Sequence, residues 1–204
     1  MKKFVELFSG SNRLTDMLRS RGYEGVSIDW DHKTKADYHI DIGSIDYDGL
    51  CKLVGFEPGF IWASPDCTTY SIAQHVHREP DLVSLSPYGR VCDAYNANLW
   101  LNILGRCHCP YIVENPRGFY RKMSFVNSPF MLTVCYGDYG TPYPKPTDYF
   151  YNDFSFKSYI KEPRSYKGTD RLSNARHGCL GRSFVPEDLL NTLCDYIGSV
   201  LDDE

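Results

Sequence analysis

Lys3-Phe4-Val5-Glu6-Leu7-Phe8-Ser9-Gly10-Ser11-Asn12 is the stretch on which the fold turns. Its first half is a near-continuous apolar run of strand length, and its second half is a run of small polar residues. Beyond it Leu14, Met17 and Leu18 fall at helical spacing, and Gly22 closes the helix. A strand that empties through a small-residue turn into a helix lets a cofactor approach the backbone and the helix N-terminus. The three-glycine fingerprint is absent, so a plain tight turn fits these residues as well. Asn12 is the non-glycine residue best suited to a left-handed turn position.

Working outward, the same alternation repeats. Strands are expected over residues 24–29, 38–42, 59–63, 111–113, 131–136 and 148–151, and helices over 44–54, 92–105 and 186–201. Strands alternating with helices predict an α/β protein with a mostly parallel sheet covered on both faces. A length of 204 residues is within the range of one domain, so 1–204 is read as a single unit. No apolar run approaches the roughly 18 residues of a membrane span, and the charged N-terminus leads straight into a strand, unlike a signal peptide. With no secretory signal, the eight cysteines are expected as reduced thiols. Cys107-His108-Cys109 lacks a second ligand pair at metal-binding spacing, so no metal is expected.

The net charge of −4 argues against a nucleic-acid partner, but it hides an asymmetry. Residues 157–182 hold seven Lys and Arg against two acids, leaving the rest of the chain near −9. Residues 152–183, polar and weakly periodic, are the candidate segment for phosphate contacts; a merely solvated loop fits as well.

The chemistry-bearing residues lie at strand ends, where open parallel sheets collect ligands. Phe8, Ser9, Gly10, Ser11 and Asn12 form the first turn. Asp29 can accept bonds from both ribose hydroxyls and Trp30 can stack on an adenine; a surface acid beside a core Trp is the bland alternative. Asp41-Ile42 repeats the strand-end acid and could receive an adenine amino group. Pro65-Asp66-Cys67-Thr68 places a cysteine in a strand-to-helix turn, where helix dipoles and nearby donors can stabilise a thiolate. Glu114-Asn115-Pro116-Arg117-Gly118 puts an acid at the next strand's end, with Arg117 beside it. A nucleophile and an acid on neighbouring strand ends make a catalytic pair.

Taken in order, Val5-Glu6-Leu7-Phe8-Ser9-Gly10, Asp29-Trp30, Ser64-Pro65-Asp66-Cys67, Glu114-Asn115-Pro116 and Tyr139-Gly140-Thr141-Pro142 resemble the motifs of the DNA cytosine-5 methyltransferase family. The resemblance runs from Phe4 to Leu201. It is strongest toward the small orphan enzymes of phages and prophages, which also share Arg121-Lys122-Met123 and Lys145-Pro146-Thr147-Asp148. It implies a class I methyltransferase sheet of seven strands, one of them antiparallel, in a cytoplasmic protein of a bacterial host. It implies S-adenosylmethionine held by residues 8–12, Asp29, Trp30, Asp41, Ile42 and Pro65. It implies Cys67 as nucleophile and Glu114 as the acid on the cytosine edge, with Arg117 steadying base or phosphate. The partner is then DNA, either duplex with a flipped cytosine or single-stranded.

Two positions depart from the family. Its Pro-Pro-Cys is Pro65-Asp66-Cys67 here, which sets a carboxylate beside the nucleophile and stiffens the loop less than proline. Its Arg-x-Arg is Lys145-Pro146-Thr147, so Lys145 stands in with fewer donors. The chain also has no room for a large target-recognition domain, a task that falls to residues 152–183 or to a protein partner. The same chemistry on RNA or a free pyrimidine nucleotide, and a retired methyltransferase fold serving as a binding module, are the competing readings.

Overall fold

The computed structural model describes residues 1–71, 77–78, 81–161 and 184–203. Seven strands, β1 (Phe4–Leu7), β2 (Gly25–Asp29), β3 (Tyr38–His39), β4 (Phe60–Ala63), β5 (Tyr111–Pro116), β6 (Phe130–Cys135) and β7 (Pro146–Tyr151), form one sheet. Their order is β3-β2-β1-β4-β5-β7-β6, and β7 runs antiparallel to both of its neighbours while all other pairs are parallel. The seven-stranded sheet with one reversed strand is the expected one.

Side chains alternate across the pleat. Phe4, Phe60, Trp62, Ile112, Tyr149 and Tyr151 face one apolar layer. That layer is completed by α1 (Arg13–Ser20) and α4 (Glu187–Asp202). Val5, Leu7, Ile61, Ala63, Val113 and Phe150 face the other. That face is covered by α2 (Tyr47–Val54), α3 (Pro87–Asn98) and a π-helical continuation, Leu99–Leu104. Burial on both faces explains why β1 and β4 read as apolar runs rather than alternating ones.

Helix ends obey local chemistry. Asp46 caps α2 by accepting from Gly49 N at 2.9 Å, and Gly55 terminates it at φ +79°. Ser86 caps α3 by accepting from Gly89 N at 3.0 Å, with Pro87 in the first turn.

Strands β5 and β7 run two to three residues beyond the expected 111–113 and 148–151, and three further differences change an element's start or kind. The helix expected over 92–105 starts at Pro87, and its second half widens into π geometry that buries Leu99, Trp100, Ile103 and Leu104. The strand expected over 38–42 is two residues long, because only Ile28 and Asp29 are there to pair with it. Ile42 instead begins a 3-10 turn, so the helix expected from 44 starts at Tyr47. No described helix is long and apolar enough to cross a membrane.

Candidate active site

The carboxyl edge of the sheet opens into two adjoining cavities. The larger, about 600 Å³, is lined among others by Phe8, Gly10, Asp29, Trp30, His39, Asp41 and Tyr95. The smaller, about 410 Å³, is lined among others by Glu6, Ser9, Ser11, Cys67, Glu114 and Lys145. Phe8, Gly10, Ser64, Pro65 and Asp66 line both.

The turn after β1 is strained in the way a close backbone approach requires. Phe8, Gly10 and Asn12 all take positive φ, at +59°, +48° and +63°. For a residue as bulky as Phe8 this is a genuine outlier. Asp29, at the end of β2, holds the turn: its Oδ2 accepts from Gly10 N at 2.9 Å and its Oδ1 from Asp31 N at 2.9 Å. Each carboxylate oxygen keeps a lone pair for a ligand hydroxyl. Trp30 is 63% exposed, which makes it an open platform rather than a core residue. Asp41 accepts from Gly43 N at 2.8 Å and from the Tyr95 hydroxyl at 3.2 Å, so the acid is fixed on the cavity wall.

These residues fit a nucleoside-bearing cofactor. The buried Ser9 Oγ has no hydrogen-bond partner among the described residues, a group waiting for one. Phe8, Gly10, Asp29, Trp30 and Asp41, which the family resemblance implies as holding S-adenosylmethionine, share the larger cavity. Ile42 and Asn12 are buried and line neither of the two cavities.

In the smaller cavity the nucleophile loop is stitched to the acid strand. Asn115 Nδ2 donates to Pro65 O at 3.1 Å, and Phe119 N donates to Tyr70 O at 2.7 Å. These bonds fix the loop carrying Cys67 against the end of β5, which carries Glu114. Among the described residues, Cys67 is followed by a three-residue 3-10 turn, Thr68–Tyr70, and Ser71 is extended; 72–76 lie outside them. Among the described residues, the helix whose dipole the sequence reading expected to act on Cys67 is replaced by this short turn.

Burial pushes the Cys67 thiol up; Glu114 and Asp66 push the same way, and Lys145 opposes them. The residue is exposed at the rim, so the thiol remains reachable. Glu114 is buried, and burial holds its carboxyl above the usual range; Lys145, Tyr136 and Ser64 favour the ionised form. Tyr136 donates its hydroxyl to Glu114 Oε1 at 3.1 Å, and Lys145 Nζ lies 4.6 Å from the centre of the Tyr136 ring. Cys67, Glu114 and Lys145 thus meet at one cavity as the sequence suggested. Arg117 is exposed and lines neither cavity.

Asp66 does not leave the loop slack. Its Oδ1 accepts from Thr68 N at 2.7 Å and Thr68 Oγ1 at 2.6 Å, and its Oδ2 accepts from the Tyr88 hydroxyl. Hydrogen bonds replace the stiffness that a proline ring would supply. Tyr88 and Tyr95, both on α3, and His32 and His39, whose rings stand 5.1 Å apart, are cavity residues the sequence reading missed. For Tyr88 a signal existed: Ser86-Pro87 is a helix start, and it places Tyr88 on the first turn.

No family model and no curated protein matches the chain. Solved structures do. A methyltransferase of Entamoeba histolytica superposes with a TM-score of 0.54 at 13% identity, covering 81% of this chain and 61% of that one. A putative DNA modification methyltransferase encoded within a prophage, from E. coli, gives 0.55 at 13% identity, with 81% and 52% covered. The Dnmt2 methyltransferase of S. pombe gives 0.50 at 13% identity, with 87% and 55% covered. The fold is that of the class I S-adenosylmethionine-dependent methyltransferases, Rossmann-like and mostly parallel. The chain spans 52% to 61% of the length of these structures.

Proposed function

We propose that this protein methylates carbon 5 of cytosine in DNA through a covalent adduct on Cys67. The observation that carries the reading is one cavity lined by a reachable thiol, a buried acid and a lysine, adjoining a second cavity lined by Asp29, Trp30 and Asp41.

Each residue has a task the chemistry needs. Carbon 5 of cytosine is a poor nucleophile until something adds at carbon 6. The Cys67 thiolate forms that carbon–sulfur bond, while Glu114, whose hold on its proton burial strengthens, gives that proton to ring nitrogen 3. The ring electrons then collect at carbon 5. S-adenosylmethionine, when bound, supplies the electrophilic methyl group. A base then takes the carbon 5 proton, and the carbon–sulfur bond breaks to release Cys67. Lys145 favours the thiolate form of Cys67.

The strand-end cavity is reached by a base that has left its stack, whether flipped or single-stranded. Exposed Arg117 and the basic residues of 157–182 are the proposed phosphate contacts; of the latter, 162–182 lie outside the described residues. A protein partner, or residues 152–183, supplies sequence recognition in this reading.

The test is nucleoside mass analysis of DNA from a methylation-deficient host expressing the wild type or Cys67→Ala. The expected result is 5-methylcytosine with the wild type alone. Its absence from both samples refutes the proposal for DNA; parallel assays on RNA and deoxycytidine monophosphate then show whether another pyrimidine is the acceptor.

A further inference from the structure

We propose that Asp66 is the counter-charge for the cationic centre of the methyl donor, so that the protein distinguishes the charged donor from its neutral thioether product. This rests on the methyl-transfer reading above and assigns a specificity to a residue that reading leaves idle.

The placement is particular. Four other acids line the two cavities, Asp29 and Asp41 in the nucleoside cavity and Glu6 and Glu114 in the thiol cavity, and Asp66 alone lines both. A methyl group passing from a donor in one cavity to an acceptor in the other must cross their junction, and the atom that carries the methyl must lie there. In S-adenosylmethionine that atom is a sulfonium with a full positive charge. After transfer it is a neutral thioether.

The carboxylate is held for such a role. Thr68 N and Thr68 Oγ1 donate to one oxygen and the Tyr88 hydroxyl to the other, so its position is set from both the nucleophile loop and α3. All three partners are neutral, and no cation forms an ion pair with Asp66 among the described residues. Among the described residues no cation neutralises this exposed carboxylate at the junction, so a cationic ligand can. An attraction of this kind strengthens donor binding and is lost once the methyl has left, which speeds exchange of product for fresh donor.

Calorimetric titration of the full chain with three ligands tests this: S-adenosylmethionine, S-adenosylhomocysteine, and sinefungin, whose ammonium replaces the sulfonium. In Asp66→Asn, which keeps an acceptor for Thr68, affinity for both cationic ligands should fall about tenfold and affinity for the thioether less than about twofold. Asp66→Glu should restore the preference, and Tyr88→Phe, which keeps the charge, should retain most of it. Equal losses for all three ligands in Asp66→Asn, or no loss, overturn the proposal and leave a structural role. If the wild type binds none of the three, the methyl-donor reading fails and this proposal with it. Wild-type binding without discrimination in the variants sinks this proposal alone.

Discussion

Gly118 follows the acid strand and lies against the nucleophile loop so closely that a single methyl group should separate them. A Cβ built on Gly118 would stand 2.2 Å from the Tyr70 carbonyl oxygen, where real Cβ contacts essentially never fall under 3.0 Å. Both sides are backbone, so Gly118→Ala must push β5 and the Cys67 loop apart by at least about 0.8 Å. The same shift strains the bond from Phe119 N to Tyr70 O. Overpacking of this type costs about 1–3 kcal/mol, which at about 2–4 °C per kcal/mol lowers Tm by roughly 2–12 °C. Misplacing Cys67 relative to Glu114 by nearly 1 Å should cost about 100-fold in kcat. Scanning calorimetry and initial rates of labelled methyl incorporation read the two effects. Gly55→Ala is the control: Gly55 sits at φ +79° with nothing within 4 Å of the added carbon, so it loses stability and keeps turnover. Gly118→Ala with a Tm within about 1 °C of the wild type and normal turnover would refute the tight contact.

Two further outcomes are expected. Glu6 is buried, accepts from Thr15 N and Thr15 Oγ1 at 2.9 and 2.6 Å, and is pushed up to about 7 by burial. The folded state therefore holds a proton that the unfolded state has lost, and stability falls as pH rises from about 4.5 to about 7, by the order of 3 kcal/mol. Glu6→Gln should abolish this slope, its Tm advantage over the wild type growing between pH 5 and 8; parallel Tm curves would mean that Glu6 ionises normally. Tyr136→Phe removes a hydrogen bond that favours the ionised Glu114, so the alkaline limb of kcat/KM, set by loss of the Glu114 proton, should move to higher pH. An unmoved limb would assign it to another group.

The strands were legible because β1, β4 and β5 are buried on both faces and so read as apolar runs bounded by turn residues. The strand-end placement of Cys67 and Glu114 followed from that order. Strand ends at the margins were less legible: β3 is cut to two residues by its partner's length, which no local pattern encodes. Ile42 looked like a strand-end neighbour of Asp41 but is taken into the core, where Asn98 Nδ2 bonds its carbonyl at 2.8 Å. The tether from Tyr88 to Asp66 and the bond from Tyr95 to Asp41 join residues 22 and 54 positions apart, so only the packing of α3 across the sheet edge reveals them. The Cys67 thiol was expected to gain from a following helix; among the described residues it is followed by a short 3-10 turn, and its surroundings raise it instead.

The packing of α4 sets an order on the birth of the molecule. Phe4 of β1 and Leu14 and Leu18 of α1 share one apolar layer with Leu189, Leu193, Tyr196 and Ile197 of α4. The opening strand and the helix that covers it are thus separated by nearly the whole sequence. During synthesis that face of the sheet lacks its cover from α4 until this helix has cleared the ribosomal exit tunnel, so this layer of the native core closes late. A nascent chain stalled before residue 187 should bind holdase chaperones, and its release from them should coincide with the emergence of α4.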